Sequence, residues 1–158
     1  MSSLQNNLSY YDPSLVPNGE GLKITIVVSE WNSEITEQLF NGVESTLINH
    51  KVKKSDIIRL NVPGSFELIY GAKHAQSKNN NIIIVIGSII KGETKHFNFI
   101  SHAIANGIAT LNSNGTCPVI FCVLTDNHID QAKDRSGGIH GNKGIEAAVS
   151  ALKMTKLA

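Results

Sequence analysis

The sequence is poor in charge and in long hydrophobic runs, and each shortage excludes a class of protein. Only 17% of its 158 residues are charged and the net charge is +1, so there is no electrostatic basis for binding nucleic acid or an anionic membrane. The longest apolar run, Ile82 to Ile90, is interrupted by Gly87 and Ser88. It falls far short of the roughly 20 residues that a membrane-spanning helix needs. The length still suits one globular domain with a sizeable core.

Cysteine is also scarce, and the two that occur are not placed to pair. Cys117 and Cys122 flank one predicted strand. Five residues of strand cover roughly 16 Å, and an odd separation points the two side chains to opposite faces. A disulfide requires Cα atoms within about 7 Å. Free thiols, together with an N-terminus that lacks the basic and apolar regions of an export signal, predict a cytoplasmic protein.

Several motifs that carry common chemistry are missing as well. The sequence has no HExxH or CxxC, and its six histidines do not show metal-ligand spacing, so no metal site is predicted. It has no GxGxxG after a strand, no GxxxxGK[ST] and no GxSxG. Dinucleotide-binding, P-loop and Ser/His/Asp hydrolase functions are therefore disfavoured.

What the sequence does contain is a strand–helix pattern repeated four times. Strands are predicted over Leu22 to Val28, Ile57 to Val62, Ile82 to Ile86 and Pro118 to Leu124. Helices are predicted from about Ser65 to Gln76 and from Ile129 to Arg135. Three more are predicted from apolar faces: Ile35, Leu39, Val43 and Leu47; Phe97, Ile100, Ile104, Ile108 and Leu111, in a helix that begins at His96; and Ile145, Val149 and Leu152. This alternation predicts an α/β fold, a three-layer α/β/α sandwich with a four-stranded parallel sheet and flavodoxin-like topology.

Residues 22–158 are predicted to form this single domain, and residues 1–21 a polar N-terminal arm. Prolines and glycines interrupt any periodicity in the arm. Two hypotheses remain open for it. It is either a mobile segment or, through Leu8, Tyr10 and Tyr11, a short strand added to the sheet of a neighbouring subunit.

The stretch GSIIKGETKHF, from Gly87 to Phe97, joins a buried strand to a helix. Open α/β sheets bind ligands at this edge, beyond the carboxyl ends of their strands. His96 begins the helix, where the helix dipole favours the neutral imidazole that a general base requires. A polar first-turn residue without a catalytic role is the alternative. The amides of Gly92 to Thr94 lie at the same helix end and could bind an anion.

Four further side chains near the same edge each have a functional and a purely structural interpretation. Trp31 follows the first strand and could stack on a planar heterocycle or simply pack at the edge. Glu67 and Glu93 lie near helix starts, where they could bind ring N–H groups or only stabilise the helix dipole. Arg135 could clamp a phosphate or only complement the end of its helix.

Four motifs in one order resemble a known enzyme family: VPGSFEL, GSIIKGETKHF, PVIFCVLT and DRSGGIHGNKG. The sequence is similar to the lumazine synthases over about Leu22 to Leu157. The resemblance implies a transferase of riboflavin biosynthesis. It would condense 5-amino-6-(D-ribitylamino)uracil with 3,4-dihydroxy-2-butanone 4-phosphate to 6,7-dimethyl-8-ribityllumazine, releasing phosphate and water. It also implies that no metal or organic cofactor takes part.

The resemblance implies a role for each matching residue. His96 matches the catalytic base. The pyrimidine and ribityl chain would be bound by Trp31, Ser65, Phe66, Glu67, Ser88, Ile89, Ile90 and Phe121. The phosphate-bearing butanone would be bound by Glu93, Thr94, Arg135 and Lys143. The sequence departs from the family pattern in two places. Asn98 stands where an acidic residue is usual, and Ile139 and His140 stand where basic or small residues are common.

The resemblance further implies a homo-oligomer with active sites between adjacent subunits of a pentamer. Phe121, Arg135 and Lys143 would face Trp31 and His96 of the neighbour. The short connection from Arg135 to Lys143 favours a shell of twelve pentamers, with sixty subunits, over a pentamer or decamer. Riboflavin synthase is a further protein partner that the resemblance suggests.

Two other functions are compatible with the same motifs. The chain could be a non-catalytic flavin or pterin binder that uses Trp31 as its platform, which would purify as a yellow protein. It could also be a structural shell or carrier protein whose site has decayed. The presence of both His96 and Arg135 argues against each, and an assay for lumazine formation distinguishes all three.

Overall fold

The computed structural model of the chain describes residues 7–157 and contains one four-stranded parallel sheet. The strands are β1 (Ile24–Ser29), β2 (Ile57–Val62), β3 (Ile82–Ile90) and β4 (Val119–Asp126), in the order β2-β1-β3-β4. The chain moves from β1 outward to β2, then crosses back to β3 on the other side of β1. The carboxyl ends of β1 and β3 therefore flank a topological switch point.

Five α-helices cover both faces of the sheet: α1 (Ser33–Asn49), α2 (Leu68–Gln76), α3 (His96–Asn114), α4 (Ile129–Arg135) and α5 (Lys143–Met154). Helices α1, α4 and α5 pack on one face, and α2 and α3 on the other. Short 3₁₀ turns occupy Pro13–Leu15, Lys54–Asp56 and Thr155–Leu157. The predicted three-layer sandwich is confirmed.

The apolar character of the central strand follows from burial on both faces. Alternate residues of β3 enter the two cores, with Ile84 in one and Val85 in the other, and both are fully buried. The cysteines obey the same alternation. Cys122 lies in the core beneath α1 and α5, whereas Cys117 packs against the core beneath α2 and α3. Both thiols are free, as predicted.

The ends of β1 and β4 differ from the predictions by one or two residues, and three other differences are larger. Strand β3 continues to Ile90 instead of ending at Ile86, because β4 pairs with it as far as Asp126. Helix α2 begins at Leu68 rather than at Ser65, since the preceding residues form a turn. A small antiparallel hairpin, β5 (Ser136–Gly138) and β6 (Gly141–Asn142), follows α4 where only a glycine stop was predicted.

The described part of the predicted arm, residues 7–21, contacts its own domain. The Leu8 amide donates to the His140 carbonyl oxygen at 2.8 Å, and the Asn142 amide donates to Ser9 Oγ at 2.9 Å. Val16 is buried in the core beneath α1 and α5. The first six residues of the predicted arm lie outside the described residues. Over residues 7–157, no helix combines the length and hydropathy that crossing a membrane requires.

Candidate active site

A cavity of about 470 Å³ opens at the switch point, beyond the carboxyl ends of β1 and β3. The turn before α2 and the first turns of α3 complete its walls. Its volume lies in the range of small-molecule sites. Eight of the residues predicted for the site line it: Trp31, Ser65, Phe66, Glu67, Ser88, Ile89, Ile90 and His96. The fold thus brings together segments that lie up to 65 positions apart in the sequence.

Two aromatic rings line the cavity without being buried. Trp31 is 71% exposed and Phe66 is 50% exposed. Large apolar side chains left in water beside a concave site commonly mark a binding surface. Their flat faces can stack on an aromatic ligand, and such stacking contributes about 0.5–1.5 kcal/mol beyond the area it buries.

Two serine hydroxyls line the interior of the cavity without a hydrogen bond. Ser65 and Ser88 are buried, and neither Oγ has a partner among the described residues. A buried hydroxyl without a partner is costly, so a ligand that supplies the partner is favoured. Gly87 lets β3 approach Ser65 closely, because a Cβ there would lie 2.8 Å from Ser65 Oγ and 2.9 Å from Leu68 Cδ1.

His96 is the first residue of α3 and its side chain is exposed at the cavity wall. Its backbone amide donates to Thr94 Oγ1 at 3.3 Å, which helps to satisfy the open end of the helix. The loop before it is also exposed and contains Glu93 and Thr94, which do not line the cavity. The Lys91 amide donates to the Asp126 carbonyl oxygen at 2.9 Å, so the loop is anchored to the end of β4.

Phe121, Arg135 and Lys143 were also predicted for the site, but they do not line the cavity of their own chain. Phe121 lies on the edge strand β4 and is 38% exposed. Lys143 forms an ion pair of 2.6 Å with Glu146 on the same helix. Together with Glu93 and Thr94, five of the thirteen predicted residues therefore lie outside the cavity within one chain.

Arg135 is the last residue of α4. Its Nη1 donates to the Gln131 carbonyl oxygen at 3.0 Å and lies 3.8 Å from Asp126 Oδ1. Burial raises the pKa of the Asp126 carboxyl, while the Arg135 charge opposes that rise. The guanidinium retains N–H groups that can bind an anion.

Three cavity residues were missing from the predicted site: Asn32, Gly64 and Ile100. Ile100 lies one helical turn after His96, so helical spacing alone could have identified it. A Cβ at Gly64 would lie 2.9 Å from Glu67 Oε2, which shows a close approach that spacing does not reveal. Asn32 is next to Trp31 in the sequence, but its place in the cavity wall depends on a hydrogen bond to β3 that the sequence does not reveal. Across residues 7–157, no cluster of three His, Cys, Asp or Glu side chains could hold a metal ion.

The fold and the cavity define an α/β enzyme with a small-molecule site at the carboxyl edge of its sheet. Residues 21–158 match the family model of 6,7-dimethyl-8-ribityllumazine synthase. The chain is 55% identical over 155 residues to the 6,7-dimethyl-8-ribityllumazine synthase of Flavobacterium johnsoniae, covering 98% of this chain and 82% of the relative. Identity to the same enzyme of Christiangramia forsetii is 52% over 159 residues, covering 99% and 95% of the two chains. The chain belongs to the 6,7-dimethyl-8-ribityllumazine synthase family, which confirms the resemblance.

Proposed function

We propose that this protein condenses 5-amino-6-(D-ribitylamino)uracil with 3,4-dihydroxy-2-butanone 4-phosphate to form 6,7-dimethyl-8-ribityllumazine. The observation that carries the proposal is the cavity of about 470 Å³ shared by Trp31, Ser88 and His96 in a chain of this family. The cavity offers an aromatic surface, buried polar groups and a titratable side chain. A flat heteroaromatic amine with a polyhydroxylated chain needs all three.

The pyrimidine ring would stack on Trp31 and Phe66, the two exposed rings of the cavity. Ser65 and Ser88 would supply hydrogen bonds to the ring and to the ribityl chain, because their hydroxyls have no partner within the described chain. Glu67, at the start of α2, would accept from ribityl hydroxyls or ring N–H groups. Ile89 and Ile90 would form the apolar edge beside the ring.

His96 would transfer protons between the reacting groups. An amine of the pyrimidine attacks the ketone carbon and water is lost as the C=N bond forms. Loss of the proton from the hydroxyl-bearing carbon then expels phosphate and leaves an enol, which takes a proton at its terminal carbon to become a methyl ketone. The second amine closes the ring on this carbonyl with loss of water. These steps move protons at nitrogen, oxygen and carbon, and an imidazole side chain can both accept and donate protons. Holding both substrates in one cavity supplies a further part of the acceleration through proximity and orientation.

The leaving phosphate would be bound by Glu93 and Thr94 of the loop before α3 together with Arg135 and Lys143. The backbone amides at the start of α3 favour an anion there, and the planar guanidinium of Arg135 can hold two phosphate oxygens. Because Phe121, Arg135 and Lys143 do not line the cavity of their own chain, we propose that a neighbouring subunit supplies them.

The assembly that follows is a ring of five subunits, with a site at each interface. We propose that twelve such rings close into a sixty-subunit shell, that riboflavin synthase is a partner and that the protein acts in the cytoplasm. The short Arg135 to Lys143 connection, which the structure folds into the β5–β6 hairpin, supports the shell. Light scattering after size-exclusion chromatography should give five or sixty times 17.1 kDa, and a mass of 17.1 kDa would contradict the shared site.

The direct test of the reaction mixes both substrates with the purified protein and follows lumazine absorbance and released phosphate together. We expect both products to appear in equal amounts. A yellow protein that forms no lumazine would instead indicate a flavin or pterin binder.

Subunit mixing tests the shared site. The variants Trp31→Ala and Arg135→Ala place their defects in opposite halves of the proposed interface. If the site is shared, dissociating and reassembling the two together should give more activity than either variant alone, because some interfaces then contain both native residues. Equal activity before and after co-assembly would show that each site lies within one chain.

A further inference from the structure

Asn32 joins two walls of the cavity through its side chain. Its Nδ2 donates to the Ser88 carbonyl oxygen at 2.9 Å, linking the turn after β1 to the end of β3. Both residues line the cavity. The bond connects positions 56 residues apart, so tertiary structure alone creates it.

The Ser88 carbonyl needs this partner because the sheet is uneven at its carboxyl edge. The ladder between β1 and β3 ends at the pair Val28 and Ile86. Strand β3 continues to Ile90 along β4 only. On the side of β1, the last residues of β3 therefore have no strand beside them, and the Asn32 amide takes the place of the missing strand.

The backbone of Asn32 is held in a conformation that few side chains tolerate. Its φ of 57° and ψ of 46° lie in the left-handed region. Among residues 7–157, Lys51, with φ of 73°, is the one other non-glycine residue with positive φ. Strained backbone of this kind persists where surrounding bonds enforce it, and it concentrates at functional sites. The Asn32 carbonyl also accepts from the Ile35 amide at 2.9 Å and so starts α1.

Trp31 depends on these bonds for its position. With 71% of the residue exposed, little packing holds the ring in place. The residue before it is fixed because the Glu30 amide donates to the Val62 carbonyl oxygen at 2.8 Å. The residue after it is fixed by the bond from Asn32 to Ser88. Trp31 thus lies between two anchored residues, one tied to β2 and one to β3.

We infer that Asn32 is a positioning residue for the aromatic platform: its amide, bonded to the Ser88 carbonyl, fixes Trp31 over the cavity and holds the β3 edge opposite it. This inference rests on the proposed function, in which Trp31 stacks on the pyrimidine. Asn32 acts through Trp31 and Ser88, so its loss should impair binding of the pyrimidine and not of the phosphate-bearing butanone.

The test uses Asn32→Gly and Asn32→Asp. Glycine accepts the left-handed backbone without strain, and aspartate keeps the size of asparagine, but neither can donate to Ser88. For both, we expect KM for the pyrimidine to rise about tenfold. A factor of this size corresponds to the loss of one hydrogen bond together with the order that it imposes on Trp31. KM for the butanone phosphate should stay within about twofold, because the hydrogen bonds of Asn32 in the described chain go to Ser88, Ile35 and Thr36 and not to the proposed phosphate-binding residues.

Trp31 is the sole tryptophan of the chain, so its fluorescence anisotropy reports the platform directly. We expect the anisotropy to fall in both Asn32 variants without substrate present. Lys51→Gly is the matched control. It places glycine at the other non-glycine residue with a positive φ, which lies just after the far end of α1. It should leave the anisotropy and both KM values unchanged.

Three results would overturn the inference: native anisotropy in both variants, an equal rise of both KM values, or a higher pyrimidine KM with unchanged anisotropy. The last would mean that Asn32 contacts the substrate itself. If the native protein forms no lumazine, the proposed function fails, whereas the anisotropy comparison still decides whether Asn32 positions Trp31.

Discussion

Gly87 allows β3 to pass close to the turn that carries Ser65, and Gly87→Ala is therefore expected to disturb both stability and the cavity. The added Cβ would lie 2.8 Å from Ser65 Oγ and 2.9 Å from Leu68 Cδ1. Cβ atoms in real structures do not approach other heavy atoms so closely, so the serine and the leucine must move. Leu68 is fully buried and cannot move into solvent, and Ser65 can move only toward the cavity that it lines.

The size of the effect follows from this overlap. Inserting a methyl group into a packed core costs about 1–3 kcal/mol. For a chain of 158 residues, each kcal/mol lowers Tm by about 2–4 °C. A cost of about 2 kcal/mol therefore corresponds to a drop of about 4–8 °C. Because Ser65 moves as well, KM for the pyrimidine should also rise.

Gly71→Ala separates these two effects. A Cβ at Gly71 would lie 2.6 Å from Val27 Cγ1, so it also overfills the core beneath α2. Neither Gly71 nor Val27 lines the cavity. We expect Gly71→Ala to lower Tm with little change in KM for the pyrimidine.

The assay compares thermal unfolding and steady-state kinetics of the two variants with those of the native protein. Native Tm in Gly87→Ala would refute the packing argument. A lower Tm with native KM would refute the claim that Ser65 contributes to pyrimidine binding. An equal rise of KM in Gly71→Ala would show that the kinetic effect reports stability alone.

Three further predictions follow from other parts of the structure. His96→Ala should slow lumazine formation without abolishing it, because orientation of the substrates persists; complete loss in a correctly assembled variant would contradict this. Hydrogen bonds from Arg59 lower the pKa of Glu37 below its ordinary 4.5, so the stability that they add is present above pH 4.5 and is lost as pH falls through the lowered pKa. Acid unfolding followed by circular dichroism should therefore change in Glu37→Gln. An unchanged unfolding profile would contradict the ion pair. Burial raises the pKa of Cys122 to about 12, so a thiol reagent at about pH 8 should label Cys117 first and reach Cys122 only on unfolding; equally fast labelling of both in the native protein would contradict the buried position.

Much of the fold could be predicted because local sequence patterns report it directly. The four-residue spacing of Ile35, Leu39, Val43 and Leu47 identifies the buried face of α1, and all four side chains are buried in the structure. The apolar run from Ile82 to Ile86 in β3 identifies a strand covered on both faces. The start of α3 at His96 and both ends of α4 were also predicted as the structure has them.

Two of the differences, the end of β3 and the β5–β6 hairpin, depend on contacts with distant segments. The end of β3 is set by β4, which pairs with it through Asp126. The β5–β6 hairpin forms where Gly141 adopts a φ of 81°, and Ser9 from the other end of the chain bonds to Asn142 beside it. These contacts join segments that are far apart in the sequence, so the spacing of apolar residues within one segment cannot predict them.

For the site, the sequence by itself determined which functional groups are present near the ends of the parallel strands. These are an aromatic ring, carboxylates, a histidine and an arginine, in an order that identifies the family. Side-chain type and strand position are properties of the linear chain. Only the tertiary structure decided which of these groups share a cavity. It brought Trp31 to His96 because β1 and β3 are neighbours. It left Arg135 outside because α4 packs on the face of the sheet with α1 and α5, whereas the cavity is walled by the turn before α2 and the start of α3, which belong to the other face. It also gave Asn32 its place, because β3 extends past β1 and leaves the Ser88 carbonyl for that side chain to bind.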